Sequence, residues 1–114
     1  MHTLKIIMAL SLLLIIAAVS FSCVKKIPLS GDQKIFAGKW VADDGTFIVI
    51  YNDGGGDFKG SNSSVTGGKA VFENDSITIG MGPIHKVLKI TERPKQEGGK
   101  WVMVLDGFRY IKQQ

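Results

Sequence analysis

Few side chains in this sequence have the type and the spacing that metal binding needs. A metal site needs clustered histidine, cysteine or acidic residues, and the sequence has one cysteine, Cys23, and two histidines, His2 and His85, all far apart. Asp53 and Asp57 flank three glycines, but a calcium loop needs more oxygen ligands at set positions. We therefore expect no metal and no cofactor.

The side chains for nucleophilic catalysis are equally sparse. Such catalysis needs a serine, cysteine or threonine beside a base that a third group orients. Beyond residue 22, His85 is the only imidazole, and the sequence contains no Gly-x-Ser-x-Gly. An enzyme would need a hydroxyl or a carboxylate to meet His85 in a cleft, so we predict that the protein is not an enzyme.

The single cysteine directly follows an apolar N-terminal segment. Residues 6–19 are almost entirely apolar and have the length of the hydrophobic region of an export signal. Ser20-Phe21-Ser22-Cys23 then resembles a bacterial lipobox, in which small residues precede the cysteine that becomes lipidated. Ser22 and Cys23 match that pattern, whereas Ser20 replaces its usual aliphatic residue and Phe21 its usual small one.

The resemblance implies a bacterial lipoprotein. Residues 1–22 would be the cleaved signal peptide, Cys23 the N-terminus carrying two or three acyl chains such as palmitate, and residues 23–34 an irregular tether. More than one chain is needed for stable anchoring. Val24 stands where an aspartate commonly retains lipoproteins in the inner membrane. The resemblance therefore implies a lipid-anchored envelope protein, held in the outer membrane and facing the periplasm.

Two other interpretations of this segment stay open. The signal could be cleaved without lipidation. Alternatively, residues 6–24 could remain as an uncleaved anchor, because they are just long enough to cross a bilayer. With an uncleaved anchor the cysteine would be incidental.

The charge of the chain argues against nucleic-acid binding. The formal net charge is +4, but the basic residues are scattered among acidic ones and only Lys25 and Lys26 are adjacent. A nucleic-acid surface would need a dense basic patch with aromatic residues in it. We expect an ordinary solvated surface.

The remaining sequence predicts an all-β domain over residues 35–114. Turn signals rich in Gly, Asn and Asp recur at short intervals, separated by β-branched and aromatic runs. No window has the periodicity of an amphipathic helix. We predict eight short antiparallel strands in an up-and-down meander that closes into a small barrel, near 36–42, 46–52, 56–61, 69–73, 76–80, 86–92, 100–105 and 108–112.

The first strand opens with the pattern Phe-x-Gly-x-Trp, at Phe36, Gly38 and Trp40. The pattern resembles the first-strand signature of the lipocalins and fatty-acid-binding proteins, the calycins. The resemblance implies that Gly38 permits tight entry into the strand and that Trp40 packs across the closed end, so these residues would be structural. Lipocalins are about twice as long as this domain, which is therefore at most lipocalin-like.

The short strands limit the space inside the predicted barrel. An eight-stranded barrel is just wide enough to be filled by its own side chains or to hold one small ligand. Large apolar residues are available to fill it: Trp40, Phe47, Val49, Phe72, Ile77, Ile79, Leu88, Ile90, Trp101, Met103, Phe108 and Tyr110. A roomy lipid cavity is therefore not expected.

The functional hypothesis is a membrane-anchored binding or interaction module of the cell envelope. Its partner would be a small apolar ligand or an envelope protein, and not a nucleic acid. The alternative is a structural or inhibitory lipoprotein with a packed barrel and no ligand cavity. Residues 80–85, predicted to be an irregular connection, could contact a partner at the barrel rim or cover the barrel end.

Overall fold

Residues 25–114 are described by a computed structural model, and they form a closed antiparallel β-barrel. A 3-10 helix over Gly31–Phe36 leads into the strands β1 (Gly38–Ala42), β2 (Phe47–Ile50), β3 (Gly55–Lys59), β4 (Ser64–Glu73), β5 (Ser76–Met81), β6 (Ile84–Glu97), β7 (Lys100–Leu105) and β8 (Phe108–Lys112). Each strand pairs with the next, and β8 pairs with β1. The predicted eight-stranded meander is confirmed.

The tight hairpins form where the turn signals predicted them. Leu105 pairs with Phe108 across a two-residue turn whose residues, Asp106 and Gly107, have φ values of 52° and 79°. Positive φ at both positions is the geometry that joins twisted antiparallel strands best. Asn74, with φ of 45°, opens the equally short turn between β4 and β5.

Strand β6 is 14 residues long and pairs with two neighbouring strands, one after the other along its length. Its first half pairs with β5, and its second half pairs with β7 from Ile90 onward. Two register shifts interrupt the second half, between Ile90 and Glu92 and between Glu92 and Lys95. Such bulges accommodate Pro94, which has no N–H to donate. The predicted strand 86–92 was therefore too short.

The register of β2 differs from the predicted core. Ile48 and Ile50 face the interior and are fully buried, because Ile48 lies beside Trp40 in the pairing of β1 with β2. Phe47 and Val49 lie on the opposite, outer face of the same strand. Trp101 and Phe108 were also proposed as core residues, but they are 36% and 61% exposed at the strand ends.

The chain enters the barrel at one end, which we call the closed end. Lys26 forms an ion pair with Asp53 in the β2–β3 turn, with 3.5 Å between Nζ and Oδ2. The Leu29 N–H donates to the Asn52 carbonyl at 3.0 Å, and the Leu29 side chain is buried. The expectation of an irregular tether through residue 34 was therefore wrong for its last part, which packs on the barrel and forms the 3-10 helix.

Candidate functional site

The closed end is sealed by the residues of the opening pattern. The Trp40 indole N–H donates to the Phe36 carbonyl at 2.8 Å, and both side chains are buried. The Phe36 ring lies 5.1 Å from the Phe72 ring, and the Arg93 guanidinium covers its other side at 5.3 Å. Gly38 has φ of 127°, a conformation that side-chain-bearing residues rarely adopt. This packing closes that end of the barrel, and a cavity of about 200 Å³ lies against it, with Asp32 and Arg93 among its walls.

The barrel interior is filled by its own side chains. Ile48, Ile77, Ile79, Met103 and Leu105 are fully buried in one cluster with Trp40. Interiors packed in this way have few voids larger than a water molecule. The barrel therefore lacks the roomy lipid cavity of a carrier, as its short strands predicted.

A cavity does exist at the opposite end, which we call the mouth. The mouth is surrounded by the turns over residues 43–46, 60–63, 82–83 and 106–107. Its cavity has a volume of about 260 Å³, and its walls include Asp44, Phe58, Lys86, Asp106, Phe108 and Tyr110. A second cavity of about 310 Å³ adjoins it and shares the walls Asp44, Thr46, Gly60 and Ser61.

Both carboxylates at the mouth are held by the turns that carry them. Asp44 Oδ1 accepts the Thr46 backbone N–H at 3.0 Å, and this bond lowers the pKa of the Asp44 carboxyl. Asp106 Oδ1 accepts the Lys89 backbone N–H at 3.0 Å. The Thr46 side chain also hydrogen-bonds to the Asp44 carboxylate and lowers its pKa further. Both carboxylates are therefore fixed in place by groups of the protein itself.

Tyr110 lies between these carboxylates and the packed core. Its side chain is 3% exposed. Burial raises the pKa of the Tyr110 phenol, and the negative charges of Asp44 and Asp106 raise it further. Tyr110 therefore lines the mouth cavity beside the two carboxylates while most of its side chain is buried.

Apolar and aromatic groups border the mouth. Phe108 is 61% exposed although it is one of the largest side chains of the domain. The Lys86 ammonium lies 5.7 Å from the centre of the Phe58 ring. Met81 and Ile84, at the tip of the β5–β6 hairpin, are also exposed. Exposed apolar groups of this kind mark contact surfaces when they cluster.

Residues 80–85 form a regular hairpin and not the irregular connection that the sequence predicted. Met81 pairs with Ile84 across Gly82 and Pro83. The expectation that Met81 and Ile84 could cover the barrel end was wrong, because both remain exposed. The His85 ring lies outside the mouth cavity, and its Nδ1 is 3.2 Å from the Pro83 carbonyl.

The Asp53 and Asp57 carboxylates form hydrogen bonds and an ion pair that stabilise the fold. Asp57 accepts the Tyr51 hydroxyl and the Gly67 backbone N–H, each at 2.7 Å. Asp53 accepts the Gly55 N–H, which lowers the pKa of its carboxyl, and pairs with Lys26. Within residues 25–114, no three His, Cys, Asp or Glu side chains are grouped as a metal site would require.

Cys23 and the predicted signal peptide over residues 1–22 lie outside the described residues. In the part of the chain that the structure covers, no helix has the length and apolar character needed to cross a bilayer. Lys25 is the first described residue and follows Cys23 by two positions. The next residue, Lys26, forms its ion pair at the closed end.

Comparison of the chain with protein-family models, with curated proteins and with solved structures finds no match. The small closed eight-stranded barrel is nevertheless consistent with a lipocalin-like fold. The likeness to that fold therefore stands on strand topology and on the residues that seal the closed end.

The residues of the mouth were not identified from the sequence. Asp44, Lys86, Asp106 and Tyr110 are spread over four strands or turns, and each has an ordinary structural role by itself. One signal could have found two of them. In a meander, every second turn lies at the same end, so the Asp-Gly turns at residues 44–45 and 106–107 had to meet.

Proposed function

We propose that this protein is a lipid-anchored lipoprotein of the cell envelope that binds a protein partner at the mouth of its barrel. One observation carries the proposal. The barrel interior is packed, and the cavity at the mouth brings the fixed carboxylates of Asp44 and Asp106 together with the exposed Phe108 ring. Binding at such a face needs no internal ligand chamber.

The direction of the chain supports this arrangement. A lipid on Cys23 would hold the membrane near the closed end, because Lys25 and Lys26 lie there. The mouth would then face away from the bilayer at the far end of strands that are roughly 17–20 Å long. The lipobox-like residues before Cys23 support anchoring, and Val24 supports the outer membrane facing the periplasm.

A small apolar ligand is the second candidate for the mouth. Phe58, Leu88 and Phe108 line the cavity and could contact such a ligand. The volume of about 260 Å³ and the presence of two carboxylates favour a single side chain of a protein over a lipid. The same features support a binding protein without catalytic activity.

Native mass spectrometry of the full chain, purified from its own envelope in mild detergent, distinguishes the two candidates. We expect the lipidated chain in complex with a second protein and without a bound small molecule, because the packed interior has no room for a carried ligand. A small mass that leaves on denaturation, at one equivalent per chain, would contradict the proposal and support the carrier. A single bare species at every detergent and salt concentration would also count against a stable partner.

A further inference from the structure

The chain is fixed to the closed end of the barrel as soon as the described residues begin. Residues 25–30, which we call the strap, lie against the turn between β2 and β3. The Leu29 N–H donates to the Asn52 carbonyl at 3.0 Å, and the Leu29 side chain is buried. A Cβ atom on Gly54 would overlap the Ile27 carbonyl, so the strap passes directly over this turn. The strap is therefore part of the barrel and not a free linker.

The strap leaves little chain between the barrel and a lipid on Cys23. Lys26 is held by its ion pair with Asp53, and Cys23 lies three positions before it. An extended chain covers at most about 3.3–3.6 Å per residue, so Cys23 would lie within about 11 Å of Lys26. An uncleaved anchor ending at residue 24 would be nearer still. Either form of anchoring therefore holds the closed end close to the bilayer surface.

Large apolar side chains are exposed at this same end. Ile27 in the strap is 74% exposed, and Ile35 in the 3-10 helix and Trp101 at the start of β7 are also exposed. They belong to three different elements, so they lie at separate points around the closed end. An indole ring, which is apolar but carries an N–H donor, suits the boundary between lipid and water. A flat lipid surface would therefore give these side chains an apolar contact.

The charges at the closed end set the depth of such a contact. In the strap, the 3-10 helix and the turns at this end, basic and acidic side chains are equal in number: Lys25, Lys26, Lys34 and Lys100 against Asp32, Asp53, Asp75 and Glu97. Moving a charged group out of water is costly, so this end would stop at the lipid headgroups. Because the charges balance, the contact would not require acidic lipids.

We propose that the closed end of the barrel rests on the bilayer surface, with Ile27, Ile35 and Trp101 among the lipid headgroups. The inference rests on the membrane anchoring in the proposed function and adds that the folded barrel itself contacts lipid. Apolar area buried at the interface strengthens the binding that acyl chains provide. The barrel would then stand on the membrane with its mouth directed away from it, and would not swing on a flexible linker.

Tryptophan fluorescence in lipid vesicles tests this contact. The full chain, purified from membranes, is reconstituted in phosphatidylcholine vesicles with or without bromine atoms near the headgroup ends of the acyl chains. Bromine quenches indole emission only at short range. Trp101→Phe leaves Trp40 as the remaining tryptophan and gives the background emission. We expect brominated vesicles to remove most of the wild-type emission above this background, and to do so equally when phosphatidylglycerol is added.

Two variants on the Trp101→Phe background place a single new indole at opposite ends of the barrel. Ile27→Trp adds it at the closed end, and Phe108→Trp adds it at the mouth. Both positions are well exposed, so neither substitution disturbs the core. We expect brominated lipid to quench the added emission at position 27 and to leave the added emission at position 108 unchanged.

The outcomes separate this inference from the proposed function. Unquenched emission at positions 27 and 101, or equal quenching at position 108, would overturn the contact. If the intact mass of that chain still includes acyl chains, the lipid anchor and partner binding at the mouth would stand. Quenching at positions 27 and 101 in a chain without acyl mass would support the contact and contradict the lipid anchor.

Discussion

Replacing Trp40 with alanine should lower the free energy of unfolding of the barrel by about 3–5 kcal/mol, the usual cost of deleting a buried tryptophan. Trp40 is fully buried in the core cluster, and its indole N–H donates to the Phe36 carbonyl. The substitution removes the hydrogen bond and leaves a cavity where the 3-10 helix meets the strands. Since small domains have roughly 5–15 kcal/mol in total, this loss would be a large share of the stability of the barrel.

Trp101→Ala is the matched control for this substitution. Trp101 is 36% exposed and lies near the end of β7, so its removal should cost about 1 kcal/mol, which is the central value for point mutations in general. Urea unfolding of residues 24–114, followed by circular dichroism, gives both values. Equal losses for the two variants would show that the sealed end does not hold the barrel together.

Replacing Cys23 with serine should abolish acylation and leave residues 1–22 attached, because the lipoprotein signal peptidase acts on the lipidated cysteine. The wild-type chain should fractionate with membranes, and its intact mass should show loss of residues 1–22 and gain of acyl chains. Each buried methylene contributes about 0.8 kcal/mol to anchoring, so two or three acyl chains would hold the wild-type protein firmly in the membrane. Globomycin, which blocks the lipoprotein signal peptidase, should leave the wild-type signal uncleaved.

Ser22→Ala serves as the control, because it keeps a small residue before the cysteine and should remain lipidated. A wild-type chain that keeps residues 1–22 and gains no acyl mass would contradict lipid anchoring and support an uncleaved anchor over residues 6–24. Loss of residues 1–22 from the Cys23→Ser variant would indicate that cleavage is independent of the cysteine.

Turn chemistry made most of the fold predictable from the sequence. Hairpins such as Asn74-Asp75 and Asp106-Gly107 require positive φ, and few residue types adopt it. With the turns fixed, the strands between them can pair only with their neighbours. Closure into a barrel followed because an open meander would leave two unpaired edges.

The register of β2 could not be predicted, because its residues Phe47–Ile50 are apolar on both faces. Register is specified by the contrast between an apolar and a polar face, and this strand has none. The outer face accommodates Phe47 because the Lys39 ammonium lies 4.5 Å from its ring centre. The length of β6 was hidden by Pro94, which usually ends a strand but here lies at a bulge.

The candidate site was harder to predict from the sequence than the fold, because its residues come together only in the folded barrel. Asp44 and Asp106 are 62 positions apart in the chain, and either one alone is an ordinary turn residue. What sets them apart is the largely buried Tyr110 side chain beside them, which lines the same cavity. The spacing of inward and outward residues around a barrel decides which side chains meet, and a single sequence does not specify that spacing.

Site-specific photo-crosslinking in the living cell envelope tests the central claim most directly. The crosslinking residue p-benzoylphenylalanine replaces Phe108 at the mouth and, as a control, replaces the exposed Trp101 near the closed end. We expect one discrete protein adduct from position 108 and no such adduct from position 101. The adduct from position 108 should be lost when Asp44 and Asp106 are both replaced with asparagine. No adduct at position 108, or the same adducts from both positions, would contradict binding at the mouth.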